Sequence, residues 1–482
     1  MRILLEHLTI RRAGLLIVLL TFGFLALEAL SVGSLSSKPC TAPGTTQWGL
    51  LADDVYHLGL TEPSLYYGSL RNFTNVFPSS SPLKTSLLHS VDTYSSHPNS
   101  SLSFPSMVDN RLIFQTDKES KGTEATRSWT LKNQKWEYRF LDDAAAETWV
   151  KVWFDGTEIA HAWKVMKAGV LKADFLRYLL MLVHGGVYSD TDTVALRPIE
   201  QWGKLHPRLY TNGSLSSFDY SPDSEPSLIL GIEVDVWKPG CGWIKKWPRP
   251  LQIAQWTLSS TPHHPIYLDA ARRVSSTARK MEAWEKSRDE EVKLLEGLGD
   301  EASLRKAYEL NKKLWTNMVS TLEWTGPAMF TDAVLAYLET QYDVTWPSLK
   351  SLTEPLRIGE ILILPLAGFS PNADSDLRWS RPSSPQSSVL HLFRGSWKNM
   401  GKWKAFKRWL ANRGGFIFAL GMIITLFGMA IWIRLRMTEQ QRTRASVVGD
   451  ESVTDGYELV WDAQNDSFEE DQNAKNLWRV GN

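Results

Sequence analysis

Asp190 and Asp192 stand one residue apart in Gly185-Gly186-Val187-Tyr188-Ser189-Asp190-Thr191-Asp192-Thr193, just after a pair of glycines. In extended backbone the side chains at i and i+2 leave the same face, so this spacing predicts two carboxylates converging on one hard divalent cation. Such a cation keeps positions open for water and for phosphate oxygens. Opening a nucleotide-sugar bond calls for that chemistry. A bare D-x-D also occurs in polar loops whose carboxylates cap the next turn, so its surroundings must decide.

Upstream, Leu171, Phe175, Tyr178, Leu179, Leu182 and Val183 recur at helical spacing and predict an amphipathic helix over Gly169 to His184, ended by Gly185-Gly186. Val187-Tyr188 reads as a short buried strand running into the acidic pair. On the helix, Asp174 and Arg177 sit at i and i+3 on one face, either turned toward the metal or joined as a simple intrahelical ion pair.

Lys172-Ala173-Asp174-Phe175-Leu176-Arg177-Tyr178, Gly185-Gly186-Val187-Tyr188 and Asp190-Thr191-Asp192 together resemble the donor-binding core of DXD-containing glycosyltransferases with a GT-A fold. Four further segments narrow the resemblance to the fungal Golgi initiation-specific α-1,6-mannosyltransferases. They are Trp136-Glu137-Tyr138-Arg139-Phe140-Leu141-Asp142-Asp143, Gln255-Trp256-Thr257, Trp324-Thr325-Gly326-Pro327 with Thr331-Asp332, and His391 followed by Gly395-Ser396-Trp397-Lys398. The similarity runs from about Arg111 to Lys398, and its specificity lies in the ordered set, since each piece alone is common.

The resemblance implies an α/β, GT-A-like (Rossmann-like) domain that uses GDP-mannose and Mn2+ and adds α-mannose, with retention of configuration, to a glycan or glycolipid acceptor. Carried over residue by residue, Asp190 and Asp192 hold the metal and the donor diphosphate, with His391 as a third metal ligand. Asp174 and Arg177 hydrogen-bond the donor sugar, and the Arg177 fork is also suited to phosphate. Gln115, Gly186, Tyr188 and Gly326 fall on the donor side, Gly326 because a residue without a side chain allows close approach. Gln255, Trp256 and Asp332 are acceptor-side candidates. Asp117 stands where the family carries an aromatic residue after the opening strand, Arg111 to Thr116. No general base is assigned, since ordinary capping explains Asp142, Asp143 and Asp332 as well as contact with substrate does. An N-glycan core is the implied acceptor, inositol phosphoceramide is the alternative, and other Golgi mannosyltransferases are candidate partners.

Two other function classes fit parts of the chain. Asp190-Thr191-Asp192-Thr193-Val194 matches the D-x-D-x-T pattern of haloacid-dehalogenase-type phosphatases, although those place it directly after a long apolar strand near the start of their domain. A membrane receptor with a lectin-like lumenal domain would suit the apolar segments and the 22 tryptophans, residues that stack on sugars but more often pack in cores.

With 482 residues, 43% apolar and 22% charged, the chain can form one large domain with flanks to spare. Zero formal net charge argues against a nucleic-acid partner, which calls for a basic surplus. The pattern divides the chain into a cytosolic tail (1–12), a signal anchor (13–32), a Ser/Thr/Pro-rich lumenal stem (33–106), the catalytic domain (107–410), a second transmembrane helix (414–436) and an acidic, disordered cytosolic tail (437–482). Phe416 to Ile433 is uncharged, is flanked by Arg413, Arg434 and Arg436, and reaches across a bilayer core of about 30 Å. The layout points to membrane attachment, and the family resemblance implies the Golgi membrane with a lumenal catalytic domain and an uncleaved anchor, a cleaved signal peptide being the alternative for the first segment.

Asn72-Phe73-Thr74, Asn99-Ser100-Ser101 and Asn212-Gly213-Ser214 are sequons if lumenal, and Cys40 and Cys241 stand as two free thiols or one disulfide. Within the domain, Pro250 to Trp256 begins an expected helix. Met281 to Lys313 reads as a solvated helical excursion, Trp324 to Pro327 as a turn and Leu362 to Pro365 as a short strand. Tyr457-Glu458-Leu459-Val460 fits a sorting signal in the tail.

Overall fold

Short runs rich in β-branched and aromatic residues build a sheet, and longer segments with apolar helical spacing cover it. The computed structural model describes residues 55–96, 110–120, 122–211, 213–217, 225–236, 243, 246–371, 380–394 and 425–441. Among the described residues two α-helices come first, α1 (Pro63–Phe73) and α2 (Pro82–Ser96). Each opens on proline, whose missing N–H costs nothing in the first turn.

The next stretch runs β1 (Leu112–Thr116), α3 (Glu124–Lys132), β2 (Glu137–Leu141), α4 (Asp143–Phe154), α5 (Glu158–Val165), α6 (Gly169–His184) and β3 (Gly186–Ser189). Thr123, Asp142 and Thr157 cap α3, α4 and α5 by accepting backbone N–H bonds. Asp142 is thus a cap, as its position before an apolar run allowed. Then come β4 (Thr193–Ala195), β5 (Arg208–Thr211), β6 (Ser214–Ser217), β7 (Leu228–Asp235), β8 (Leu251–Ile253) and β9 (Thr257–Ser260). The chain continues through α7 (Pro265–Leu298), α8 (Glu301–Asn311), α9 (Thr321–Trp324), α10 (Pro327–Tyr342), β10 (Leu356–Ile358), β11 (Ile361–Leu364), α11 (Leu366–Phe369) and β12 (Val389–His391).

The ten-stranded mixed sheet has the order β2-β1-β3-β9-β7-β11-β10-β5-β6, with β8 added to β7, while β4 and β12 form a separate pair. β1 lies between β2 and β3 and is parallel to both, and β3 is antiparallel to β9. Successive residues of one strand serve different cores, as the period of two requires. Phe114, Tyr188, Leu230 and Ile363 join the larger core, and their neighbours Ile113, Val187, Ile229 and Leu362 join the smaller one. This is a mixed α/β fold, as the α/β class implied by the family resemblance led one to expect.

Two expectations fail. The segment from Pro250 to Trp256 forms β8 and the approach to β9 rather than a helix. Leu251, Gln252 and Ile253 are all buried between β7 and covering helices, a setting that favours a short strand with both faces covered. The expected stem, over its described part (55–96), is folded into the core. Tyr66, Tyr67, Leu70 and Phe73 on α1 and Leu83, Leu87, Val91 and Tyr94 on α2 are buried there. The Ser/Thr/Pro-rich composition hid that helical spacing.

The excursion after Met281 is helical, and Val292 and Leu295 of α7 pack against Ala307 of α8. Residues 425–441, in a separate unit from 398 to 482, are helical. Among the described residues no helix is long and apolar enough to cross a membrane. The anchor at 13–32, residues 414–424 of the 414–436 segment, both cysteines, Asn99, Asn212 and Tyr457 lie outside the described residues.

Candidate metal and donor site

Gly185 ends α6 at φ 64°, where a Cβ would stand 2.6 Å from Ser260 O and Pro262 N. Gly186 follows at φ 82°, and a Cβ there would stand 2.5 Å from Leu112 O. The pair therefore lets β3 slot between β1 and β9, and that packing is what requires Gly186.

Asp190 follows at the end of β3. Its N–H donates to Trp256 O at 2.9 Å, and its carbonyl accepts from Thr193 N at 3.1 Å, Thr193 Oγ1 at 2.6 Å and Gln115 Nε2 at 3.0 Å. Asp190 to Thr193 is thus a closed turn. The carboxylates converge across this turn and not along an extended strand, because the Thr193 to Asp190 hydrogen bond folds the chain between β3 and β4. Buried Gln115 also accepts from Tyr138 at 2.9 Å, which ties β1, β2 and the acidic turn together.

His391 is brought in by the pairing of β12 with β4, in which it lies opposite Thr193. Its Nε2 is 3.0 Å from Asp192 Oδ1. Phe393, at φ 46°, bends the chain so that Arg394 N donates to Asp192 Oδ2 at 2.9 Å. Burial disfavours the charged form of Asp192, but the His391 and Arg394 contacts outweigh it and hold the carboxyl below the usual range.

Arg177 joins this turn to α6. Its Nη2 lies 3.0 Å from Asp174 Oδ1 and 3.2 Å from Asp190 Oδ1, its Nη1 donates to Gln255 O at 3.3 Å, and its guanidinium sits 5.1 Å from the Tyr188 ring centroid. The Tyr188 hydroxyl also donates to Asp190 Oδ1 at 2.8 Å. Asp174 accepts from Gln255 Nε2 at 3.1 Å and from Thr325 Oγ1 at 3.0 Å. Two distant segments, Gln255-Trp256-Thr257 and Trp324 to Pro327, therefore meet on one buried carboxylate. Burial pushes Asp174 up to about 6, while Arg177 and the hydrogen bonds resist that rise.

The remaining candidates have definite places. A Cβ on Gly326 would lie 2.6 Å from Leu322 Cα, so the glycine serves the α9–α10 junction. Asp332 is 2% exposed, and Arg249 donates to both its oxygens at 3.0 and 2.7 Å. Trp256 is buried and stacks on His391 with centroids 4.5 Å apart. Trp129, Trp202 and Trp324 are fully buried core residues, which removes them from the pool available to a sugar-stacking surface.

The roles of two residues escaped sequence reasoning, although the position of one, Asp117, stands out there. Asp117 accepts from Thr191 Oγ1 at 2.9 Å and so anchors the middle of the acidic turn. Glu233 is a buried carboxylate on β7 that accepts from Trp256 Nε1 and Gln252 Nε2, and burial raises its pKa. Its signal was a charge inside an otherwise apolar strand.

Ligand atoms of Asp190, Asp192 and His391 all lie within 4.8 Å of one another. Their side chains are 25%, 20% and 11% exposed, open enough for a ligand to reach. Arg177 and Tyr188 both engage Asp190 Oδ1, which leaves Oδ2 without a described protein partner. Two carboxylates and an imidazole suit a hard to borderline divalent ion, so the residues fit such a group.

A family profile described as "Glycosyltransferase sugar-binding region containing DXD motif" matches residues 118–208, which include Asp174, Arg177, Asp190 and Asp192. An "Initiation-specific alpha-1,6-mannosyltransferase" of Schizosaccharomyces pombe is 34% identical over 296 residues, covering 60% of this chain and 64% of that protein. A Candida albicans protein of the same description is 25% identical over 291 residues, covering 57% and 66%. The chain thus spans a little under two thirds of each relative. A solved "PaToxG Glycosyltransferase" structure aligns with 60% of this chain and 82% of its own at 13% identity, with a TM-score of 0.26 that carries no weight for the fold.

Proposed function

We propose that this chain, which belongs to the DXD-containing glycosyltransferase family of the initiation-specific α-1,6-mannosyltransferases, transfers α-mannose from GDP-mannose to an N-glycan core in the Golgi lumen. The observation that carries the reading is the convergence of Asp190, Asp192 and His391 beside Arg177. These three side chains would hold a divalent cation, Mn2+ in this reading, which when bound offsets the charge developing on the departing diphosphate.

Arg177 adds a fixed positive charge at the same turn. Because Asp174 and the Gln255 carbonyl hold its guanidinium in a dry setting, it needs little reorganisation as the anomeric C–O bond breaks. Retention puts the acceptor hydroxyl on the face from which GDP leaves, so the departing phosphate oxygen is the nearest base for its proton. Asp174 and Glu233 are poorly suited to that role, being buried with both oxygens already accepting hydrogen bonds.

A panel of nucleotide sugars tests the donor. Turnover of GDP-mannose alone supports the proposal, and turnover of a UDP-sugar in its place overturns it. Offered both acceptors, the enzyme should mannosylate a high-mannose N-glycan core and leave inositol phosphoceramide unchanged; the reverse preference would move it to the sphingolipid class.

A further inference from the structure

Glu233 stands among Leu230, Ile232 and Val234 on β7 and is 8% exposed. Its Oε1 accepts from Trp256 Nε1 at 3.1 Å and its Oε2 from Gln252 Nε2 at 2.9 Å. Both donors are neutral. A carboxylate taken into an apolar strand loses its hydration, and hydrogen bonds from neutral groups restore only part of that loss. Stability alone would be better served by an apolar residue here.

The other side of Trp256 shows what the arrangement secures. The indole lies nearly parallel to the His391 imidazole, 4.5 Å between centroids at 27°, and Phe393 closes on the same imidazole at 4.0 Å. A histidine that binds metal is usually oriented by a hydrogen bond from its second nitrogen to a carboxylate or carbonyl. Here Nε2 faces Asp192, whereas Nδ1 is buried with no hydrogen-bond partner. The ring must therefore be oriented by packing. Fixing the indole N–H fixes the plane of the tryptophan, and through the stack it fixes the plane of the histidine.

We propose that Glu233 is a positioning residue for the metal ligand His391, acting through the Trp256 indole that it holds by hydrogen bond. This inference rests on the metal-site reading above. It assigns Trp256 to the support of the site rather than to acceptor contact, and it gives Gln252 the task of holding the carboxylate in place.

The test is direct Mn2+ binding to the purified full-length protein, read from the paramagnetic resonance signal of free Mn2+, with no sugar substrate present. Glu233→Ala should weaken Mn2+ binding by about tenfold or more. Glu233→Gln should restore binding to within about threefold of wild type, because its amide oxygen still accepts from the indole and Gln252 can turn its own amide. Trp256→Phe keeps a ring on the histidine but loses the N–H, so its binding should fall between the two. Should Glu233→Ala not fold, Trp256→Phe carries the same comparison.

In a His391→Ala background Glu233→Ala should add no further loss, since the residue it positions is gone. Wild-type affinity in both Glu233→Ala and Trp256→Phe overturns the proposal, as does an equal loss with and without His391, which marks general loosening. Failure of the wild-type protein to bind Mn2+ overturns the metal-site reading itself, and this inference with it.

Discussion

Arg177 Nη2 lies 3.2 Å from Asp190 Oδ1, so the helix before the glycine turn and the first carboxylate after it act as one charged unit. The guanidinium reaches Asp174, Asp190 and the Gln255 carbonyl together, and a lysine ammonium cannot span that fork. Arg177→Lys should keep the fold and lower kcat/KM for the donor by about tenfold or more. Arg177→Ala should also destabilise the protein by about 3–5 kcal/mol, because it strands buried Asp174 without a counter-charge. Steady-state kinetics beside thermal unfolding separates the two effects, and wild-type kinetics in Arg177→Lys would reduce the residue to a structural ion pair.

Asp174 gives the site a pH dependence. Burial raises its pKa from 3.8 to about 6, against the pull of Arg177 and the Gln255 and Thr325 hydrogen bonds. A carboxyl whose folded value is raised contributes stability that is full below the unfolded value and is lost as the pH rises through about 6. Activity runs the other way, because protonation removes one of the charges that orient Arg177. Donor kcat/KM should fall as the pH drops through about 6 in wild type and be lower but flat between about pH 5 and 7 in Asp174→Asn. An unchanged acid limb in the variant would assign it to another group.

Much of the site was legible because it is local. The spacing of Leu171, Phe175, Tyr178 and Leu182 fixed α6, and the glycine pair fixed its end, so Asp174, Arg177, Asp190 and Asp192 followed within a short stretch. His391 is separated from Asp192 by 199 positions, and only the pairing of β12 with β4 unites them. No periodicity reports such a register, and it was the ordered family resemblance that singled His391 out. Glu233 escaped because its meaning depends on Trp256 across the sheet. The helix expected at Pro250 to Trp256 failed because a short run buried on both faces has no period by which to tell strand from helix.

Helices α1 and α2 belong to the folding unit. Tyr67 donates to Gln341 at 2.6 Å, and Tyr66, Leu70, Leu87 and Val91 lie in the main core. At about 1.5–3 kcal/mol for each large apolar side chain, their removal exceeds the net stability of an ordinary domain. A chain beginning at Met107 should fail to unfold cooperatively on heating, and one beginning at Val55 should retain that transition. Cooperative unfolding of the shorter chain at the same Tm would show the helices to be accessory.

Gly326 separates a packing role from donor contact. A Cβ would collide with Leu322 Cα at 2.6 Å and displace Thr325, which bonds Asp174 through its hydroxyl and accepts from Tyr178 through its carbonyl. Gly326→Ala should cost about 1–3 kcal/mol of stability and lower kcat. A raised donor KM with unchanged Tm would restore the direct-contact reading.

The most direct test of the metal and donor site is release of GDP from GDP-mannose by the purified full-length protein, with Mn2+ and with a chelator, for wild type, Asp192→Asn and His391→Ala. Turnover should vanish on chelation, fall by about a hundredfold or more in Asp192→Asn, and in His391→Ala require more Mn2+ for half-maximal rate. Undiminished release by folded Asp192→Asn, or wild-type release that ignores the chelator, would contradict the assignment of Asp190, Asp192 and His391 as a catalytic metal centre.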